Sequence, residues 1–139
     1  MDLLVIGLIW AAMIATGVWE SSSEGVRSWA KGKTGWKIGR QPWVLTQYHF
    51  FLFWVTFPLL LSIPLVLDYS AELLRTIAFA YITGVIIQDF SWFIFNKRWG
   101  LRRFNPKYVD WHAWIRVGPV DIPALYIIGA VVALIIAFV

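Results

Sequence analysis

The chain has 139 residues, of which 60% are hydrophobic and 14% are charged, and its formal net charge is +4. This composition excludes an ordinary soluble domain, in which about a quarter of the residues are charged. Because the chain contains no cysteine, disulfides, thiolate zinc sites and cysteine-ligated iron-sulfur clusters are excluded as well.

Four apolar stretches follow one another along the chain, at residues 3–19, 43–67, 73–95 and 122–139. A helix needs about 17 to 25 such residues to cross a bilayer. In lipid a helix satisfies its own backbone hydrogen bonds, and the alternation typical of barrel strands is absent from the sequence. We therefore predict an all-α integral membrane protein, with residues 1–139 forming one four-helix transmembrane bundle.

Positive charge is concentrated in the segments 20–42 and 96–121, which contain eleven of the twelve lysine and arginine residues. By the positive-inside rule, both segments are cytoplasmic loops and both chain ends are extracytoplasmic. We expect a multi-pass protein of a prokaryotic-type plasma membrane. The basic residues alternate with tryptophans, which suits contact with anionic lipid better than a nucleic-acid partner.

Each basic loop carries the sequence signals of a short interfacial helix. In the first loop, Ser21 and Glu24 match a capping box, which predicts a helix through about Ala30. In the second loop, Asn105-Pro106 supplies a helix start and Gly118-Pro119 a stop, so we predict a helix of about a dozen residues.

Asp89 lies inside the apolar run 73–95, where an ionisable side chain is costly unless it has a partner or a function. The neighbouring run 43–67 contains His49. If the two runs cross the membrane in opposite directions, both residues lie roughly 9 to 11 Å inside the same boundary. We predict that they form a pair. They are either catalytic groups, with His49 or Asp89 as the general base, or a structural pair that sets the helix register.

Other polar residues are expected at the same end of the bundle, where they could serve either of two kinds of site. A pocket for a lipid headgroup or a small amphiphile would be lined by Tyr81, Gln88, Trp92 and Asn96, with Arg102, Arg103 and Arg116 contacting phosphate. A divalent metal site would use His49, Asp89, His112, Glu20 and Asp121.

Small residues repeat every fourth position in the first and last spans, a pattern that permits close approach of helices. The repeats are Gly7/Ala11/Ala15 and Gly129/Ala133/Ala137. They could pack on each other or on another subunit, in a homo-oligomer or a hetero-oligomer. Three hypotheses about function stay open at this stage: a membrane site for a lipid, amphiphile or metal that could support catalysis; an accessory subunit of a larger complex; and a proton or ion carrier.

Overall fold

A computed structural model describes residues 1–24 and 35–138 of the chain. These residues form four helices and two short antiparallel hairpins. In chain order the elements are α1 (Leu3–Glu24), β1 (Lys37–Ile38), β2 (Leu45–Thr46), α2 (Gln47–Leu67), α3 (Ala71–Phe95), a 3₁₀ turn (Leu101–Arg103), β3 (Trp114–Val117), β4 (Val120–Pro123) and α4 (Ala124–Phe138).

Helices α1 and α3 run in the same direction and form the tightest packing in the bundle. Trp10 Nε1 donates a hydrogen bond to Thr83 Oγ1 at 2.8 Å near their middle, and Gly17 lies against Ser91 further along. Both helices contribute to one buried apolar cluster, which consists of Ile6, Ile9, Met13, Ile77 and Ala80. Close packing and an interhelical hydrogen bond hold the two helices together.

Helix α2 is only loosely attached, and none of its 21 residues, all of which the structure describes, is buried. Its middle section, Phe50–Thr56, is π-helical. In a π-helix each carbonyl accepts a hydrogen bond from the N–H group five residues later. For the carbonyl of Phe53 that residue is Pro58, which has no N–H group. The hydroxyl of Tyr81 on α3 donates to the Phe53 carbonyl instead. This bond links α2 to α3.

Helix α4 packs against α3 in the opposite direction. Gly129 provides the space for this contact, since a Cβ there would lie 2.9 Å from Ile86 Cδ1. Tyr126 reaches Asp89 near the end of α3, whereas Ile135 lies near Ala78, closer to its start. The ends of α1 and α3 and the beginnings of α2 and α4 therefore meet at one end of the bundle, which we call the loop end.

The helix predicted after Asn105-Pro106 is wrong. Asn105 Oδ1 accepts a hydrogen bond from the Lys107 N–H and closes a turn, and the chain then enters the hairpin formed by β3 and β4. Gly118 has a φ of +59° and takes the first position of the two-residue turn, where hairpins favour glycine. Asn-Pro and Gly-Pro are signals for turns as well as for helix ends.

The first loop departs from the prediction in a similar way. Ser21 and Glu24 belong to the last turn of α1 and do not start a new helix, and the rest of the predicted helix, residues 25–30, lies outside the described residues. Further on, Lys37 pairs with Thr46 in the hairpin of β1 and β2. This hairpin leads directly into α2.

Three helices, α1, α2 and α3, are long and apolar enough to cross a membrane. The protein is therefore mostly helical and compatible with a multi-pass membrane protein, as the sequence predicted. Helix α4 is apolar but has only 15 residues, because Ile122 and Pro123, which we assigned to the fourth span, belong to β4. The prediction of a fourth span stays a prediction.

Candidate functional site

The carboxylate of Asp89 meets two side chains from other parts of the chain at the loop end. The Nε2 atom of His112, which lies just before β3, is 3.2 Å from Asp89 Oδ2. Tyr126, in the first turn of α4, donates a hydrogen bond from its hydroxyl to the same oxygen. The His112 contact has the distance of an ion pair without the alignment of a hydrogen bond. We call Asp89, His112 and Tyr126 the Asp89 site.

The other carboxylate oxygen of Asp89, Oδ1, has no hydrogen-bond donor among the residues that the structure describes. The Asp89 side chain is 32% exposed, whereas that of His112 is 9% exposed. An ionised carboxylate can accept about four hydrogen bonds, and leaving such a group unsatisfied in apolar surroundings is costly. The site therefore presents an open acceptor beside an apolar surface.

Aromatic side chains hold His112 in its position beside Asp89. Four rings have their centroids between 6.0 and 6.3 Å from that of the imidazole: Phe93, Trp111, Trp114 and Tyr126. Trp114 is itself anchored, because its Nε1 donates to the Val109 carbonyl at 2.7 Å. With rings around it, the imidazole has little freedom to turn away from Asp89.

A second polar cluster, at Glu20, lies on a neighbouring face of α3. Glu20, near the end of α1, is 4% exposed. It accepts hydrogen bonds from the Tyr48 hydroxyl of α2 and from the Gln88 side-chain amide of α3. Gln88 and Asp89 are consecutive, so their side chains leave the helix about 100° apart. One turn of α3 therefore contributes a residue to each cluster.

His49 lies between the two clusters, but it is not the partner of Asp89 that we predicted. Its Nδ1 is 2.7 Å from Thr46 Oγ1, which also accepts a hydrogen bond from the His49 backbone N–H. Thr46 is the N-cap of α2, a role that suits a hydroxyl side chain. His49 remains close enough to Asp89 and His112 to interact with both electrostatically. The ring that contacts Asp89 is that of His112.

Three residues predicted for the ligand pocket lie within the bundle and its aromatic packing. Tyr81 is hydrogen-bonded to the α2 backbone. Asn96 is 2% exposed, and its Oδ1 accepts hydrogen bonds from the backbone N–H groups of Arg98 and Trp99, which turns the chain after α3. Trp92 is also buried, and its Nε1 has no acceptor within the described ranges. Tyr81 and Asn96 therefore have structural partners.

The three arginines predicted to contact phosphate are exposed. The guanidinium of Arg103 lies over the rings of Trp99 and Tyr108, at 5.8 and 6.0 Å from their centroids. Arg102 precedes it in the 3₁₀ turn, and Arg116 lies opposite Asp121 in the hairpin of β3 and β4. None of the three contacts Asp89 in the described structure.

The five predicted metal ligands do not converge. Glu20 is engaged by Tyr48 and Gln88, and Asp121 belongs to the strand pair. Within residues 1–24 and 35–138, no three His, Asp or Glu side chains come close enough together to hold a metal ion. The geometry therefore gives the metal-site hypothesis no support.

Sequence reasoning missed Tyr48 and Tyr126, the two hydroxyl donors that complete the clusters. Tyr126 is the one polar side chain in the apolar sequence of α4, a signal comparable to that of Asp89 in α3. Tyr48 directly precedes His49, and we predicted a role only for the histidine. No family model, curated protein or solved structure matches this chain.

Proposed function

We propose that this protein is a four-span membrane protein that binds the polar head of a lipid or another amphiphile at the Asp89 site. The two basic loops are then cytoplasmic and both chain ends extracytoplasmic, in a plasma membrane of prokaryotic type. In this orientation the loop end lies at the cytoplasmic leaflet, where anionic lipids attract lysine and arginine residues.

The open Oδ1 atom of Asp89 is the observation that carries this proposal. A carboxylate with one oxygen already engaged by Tyr126 and His112 can take a hydroxyl or an amine of a headgroup on its other oxygen. The apolar surface of α3 and α4 beside it would accommodate the tail of the same molecule. A ligand of this kind satisfies the carboxylate without exposing it to lipid.

Phosphate, where the ligand has one, would be contacted by the exposed guanidinium groups of the second basic loop. Arg102 and Arg103 directly precede Phe104, whose ring centroid lies 6.0 Å from that of Tyr126. Arg116, on the hairpin, is a further candidate. Arginine can bind phosphate through two parallel hydrogen bonds, so the arginines and Asp89 would bind different parts of one headgroup.

The pair of Asp89 and His112 is also the candidate proton acceptor for a hydroxyl bound at this site, because the imidazole lies 3.2 Å from the carboxylate. The carboxylate holds the imidazole in place and stabilises the positive charge that it acquires, which is how a general base is supported. Catalysis at this site is part of the proposal, with His112 in the general-base role that we first predicted for His49 or Asp89.

Native mass spectrometry of the purified protein tests this proposal. We expect a co-purifying amphiphile whose occupancy falls at least about tenfold in both Asp89→Asn and His112→Gln. The first change removes the charge that binds the headgroup, and the second removes the ring beside that carboxylate. The matched control is Asp68→Asn, which replaces an exposed aspartate at the opposite end of the bundle and should retain the ligand.

The same samples distinguish the alternatives. Loss of the ligand in the double variant Arg102→Gln/Arg103→Gln would identify it as a phosphate-bearing lipid. A wild-type protein without any bound amphiphile, or equal retention in all variants, would contradict the proposal. Elemental analysis tests the metal hypothesis. A stoichiometric metal that is present in the wild type and lost in Asp89→Asn would show that the ligand of this site is a metal ion and not an amphiphile.

A second candidate function, an accessory subunit of a larger membrane complex, is favoured by the surface of α1. Gly7, Ala11 and Ala15 are exposed, and a Cβ built on Gly7 meets nothing within 4 Å among the described residues. The corresponding stripe of α4 packs internally, with Gly129 against Ile86. An exposed stripe of small residues allows close approach of a further helix.

If α1 packs against another subunit, Ala11→Ile should shift the protein from an oligomer to a monomer after mild solubilisation. The added side chain would hold the backbones apart at the centre of the stripe. Ala12→Ile, at an exposed position on another face of α1, is the matched control. A wild-type protein that is monomeric in mild detergent and still binds its ligand would exclude this function.

A further inference from the structure

Arg75 is the one lysine or arginine outside the two basic loops, and it lies at the end of the bundle opposite the loop end. It is the fifth residue of α3, about 6 Å from the start of the helix at 1.5 Å per residue. Its Nε atom is buried and has no hydrogen-bond partner among the described residues. A buried guanidinium nitrogen without an acceptor is unfavourable, and a bound anion would supply the acceptor.

A groove of about 630 Å³ runs beside Arg75 between α3 and α4. Apart from Arg75 and Glu72, its walls are apolar: Ala71, Leu74, Ala78, Ile135 and Ile136. Because Ile135 and Ile136 lie near the end of α4 and Ala71 begins α3, the groove starts at the boundary of the apolar region. Its charged end is therefore placed where a lipid headgroup would lie.

A second apolar groove, of about 260 Å³, lies between α2 and α3. It shares Leu74 and Ala78 with the first groove, so the two lie on either side of the same ridge of α3. Beyond Ser62 and Tyr81 its lining is apolar. Two adjacent apolar grooves, the first of which is lined by the cation Arg75, match a molecule with two hydrocarbon chains and one anionic group.

Glu72 is the residue in the groove that would oppose an anion. Its carboxylate is engaged by the Met1 ammonium group, with an N–O distance of 2.9 Å. The ion pair reduces the repulsion that Glu72 would exert on a nearby phosphate. Arg75 forms no ion pair of its own within 4 Å in the described part of the chain.

We propose that Arg75 and the two grooves bind one anionic diacyl phospholipid, with its phosphate at the guanidinium group and one acyl chain in each groove. This site is separate from the Asp89 site, since Arg75 and Asp89 are 14 positions apart on α3, or about 21 Å along the helix axis. In the orientation proposed above, the lipid belongs to the extracytoplasmic leaflet. The Arg75 site does not depend on any ligand at Asp89.

Native mass spectrometry of the full chain in detergent, titrated with phosphatidylglycerol or phosphatidylcholine of identical acyl chains, tests this site. We expect the wild type to bind the anionic lipid roughly tenfold more tightly, and Arg75→Gln to lose this preference. Ala78→Leu, which fills the wall shared by both grooves, should weaken binding of both lipids. Glu72→Gln should strengthen binding of phosphatidylglycerol, because it removes the opposing charge.

The control is Arg98→Gln, at an exposed position in the second basic loop, which should keep the wild-type preference. Asp89→Asn should keep it as well, so failure of the Asp89 proposal can be told apart from failure of this one. Equal binding of the two lipids by the wild type, or an equal loss in Arg98→Gln, would overturn the proposal. So would tighter binding of oleate, which has a single chain, than of phosphatidylglycerol.

Discussion

Replacing Glu20 with alanine is expected to lower the free energy of unfolding by roughly 2 to 3 kcal/mol. The change removes the acceptor for two donors, the Tyr48 hydroxyl and the Gln88 amide. Each buried donor left without an acceptor costs about 1 kcal/mol or more. The effect should be concentrated on α2, because that helix has no buried residue and depends on polar links to the rest of the bundle.

Hydrogen–deuterium exchange separates this local effect from a general loss of stability. In Glu20→Ala we expect faster exchange in α2, while the middle of α1 and α3 around Trp10 and Thr83 stays protected. The conservative change Glu20→Gln keeps an acceptor for Tyr48 and should retain most of the protection. Unchanged exchange in α2, or an equal increase in all helices, would show that Glu20 does not tie α2 to the bundle.

The positions of the polar groups along the helices could be predicted from the sequence, and their orientation around the helix axes could not. Matching depths placed Glu20, His49 and Asp89 at the same end of the bundle, and the structure has them there. Depth depends only on residue count and rise per residue. Which partner a side chain contacts depends on the packing of the whole chain. The direct contact that we predicted between Asp89 and His49 is therefore replaced by contacts of Asp89 with His112 and of His49 with Thr46.

In the second basic loop, tertiary packing overrides a helical pattern in the sequence. Phe104, Tyr108, Trp111 and Ile115 are spaced like one face of a helix, yet the chain there forms turns and a strand. Phe104 and Trp111 pack against a buried cluster that contains Val109, whereas Tyr108 and Ile115 are each 44% exposed. Burial of aromatic rings against α3 overrides the local periodicity. His112 reaches Asp89 as a consequence of that packing.

The repeats of small residues illustrate the same dependence on tertiary structure. Both repeats permit close helix contact, and the sequence alone does not distinguish them. In the structure, α1 approaches α3 closely at Gly17, which lies outside the Gly7/Ala11/Ala15 repeat. Gly17 lies one turn before Glu20, so the packing at this glycine brings Glu20 within reach of Gln88.

Gly17→Ala should therefore be strongly destabilising. A Cβ at this position would lie 2.5 Å from the Gln88 carbonyl oxygen and 2.9 Å from Ser91 Cβ. The first of these contacts is with backbone, so α1 and α3 must separate, and overpacking of this kind typically costs about 1 to 3 kcal/mol. Because the separation moves Glu20 away from Gln88, α2 should become less protected as well.

Gly7→Ala on the same helix provides the matched control. A Cβ at Gly7 meets nothing within 4 Å in the described structure, and alanine favours the helix over glycine by up to about 1 kcal/mol. Unfolding in mixed micelles should therefore give a lower stability for Gly17→Ala and an unchanged or higher one for Gly7→Ala. If the two variants were equally stable, α1 would not pack against α3 through Gly17. The contact between Glu20 and Gln88 would then need another explanation.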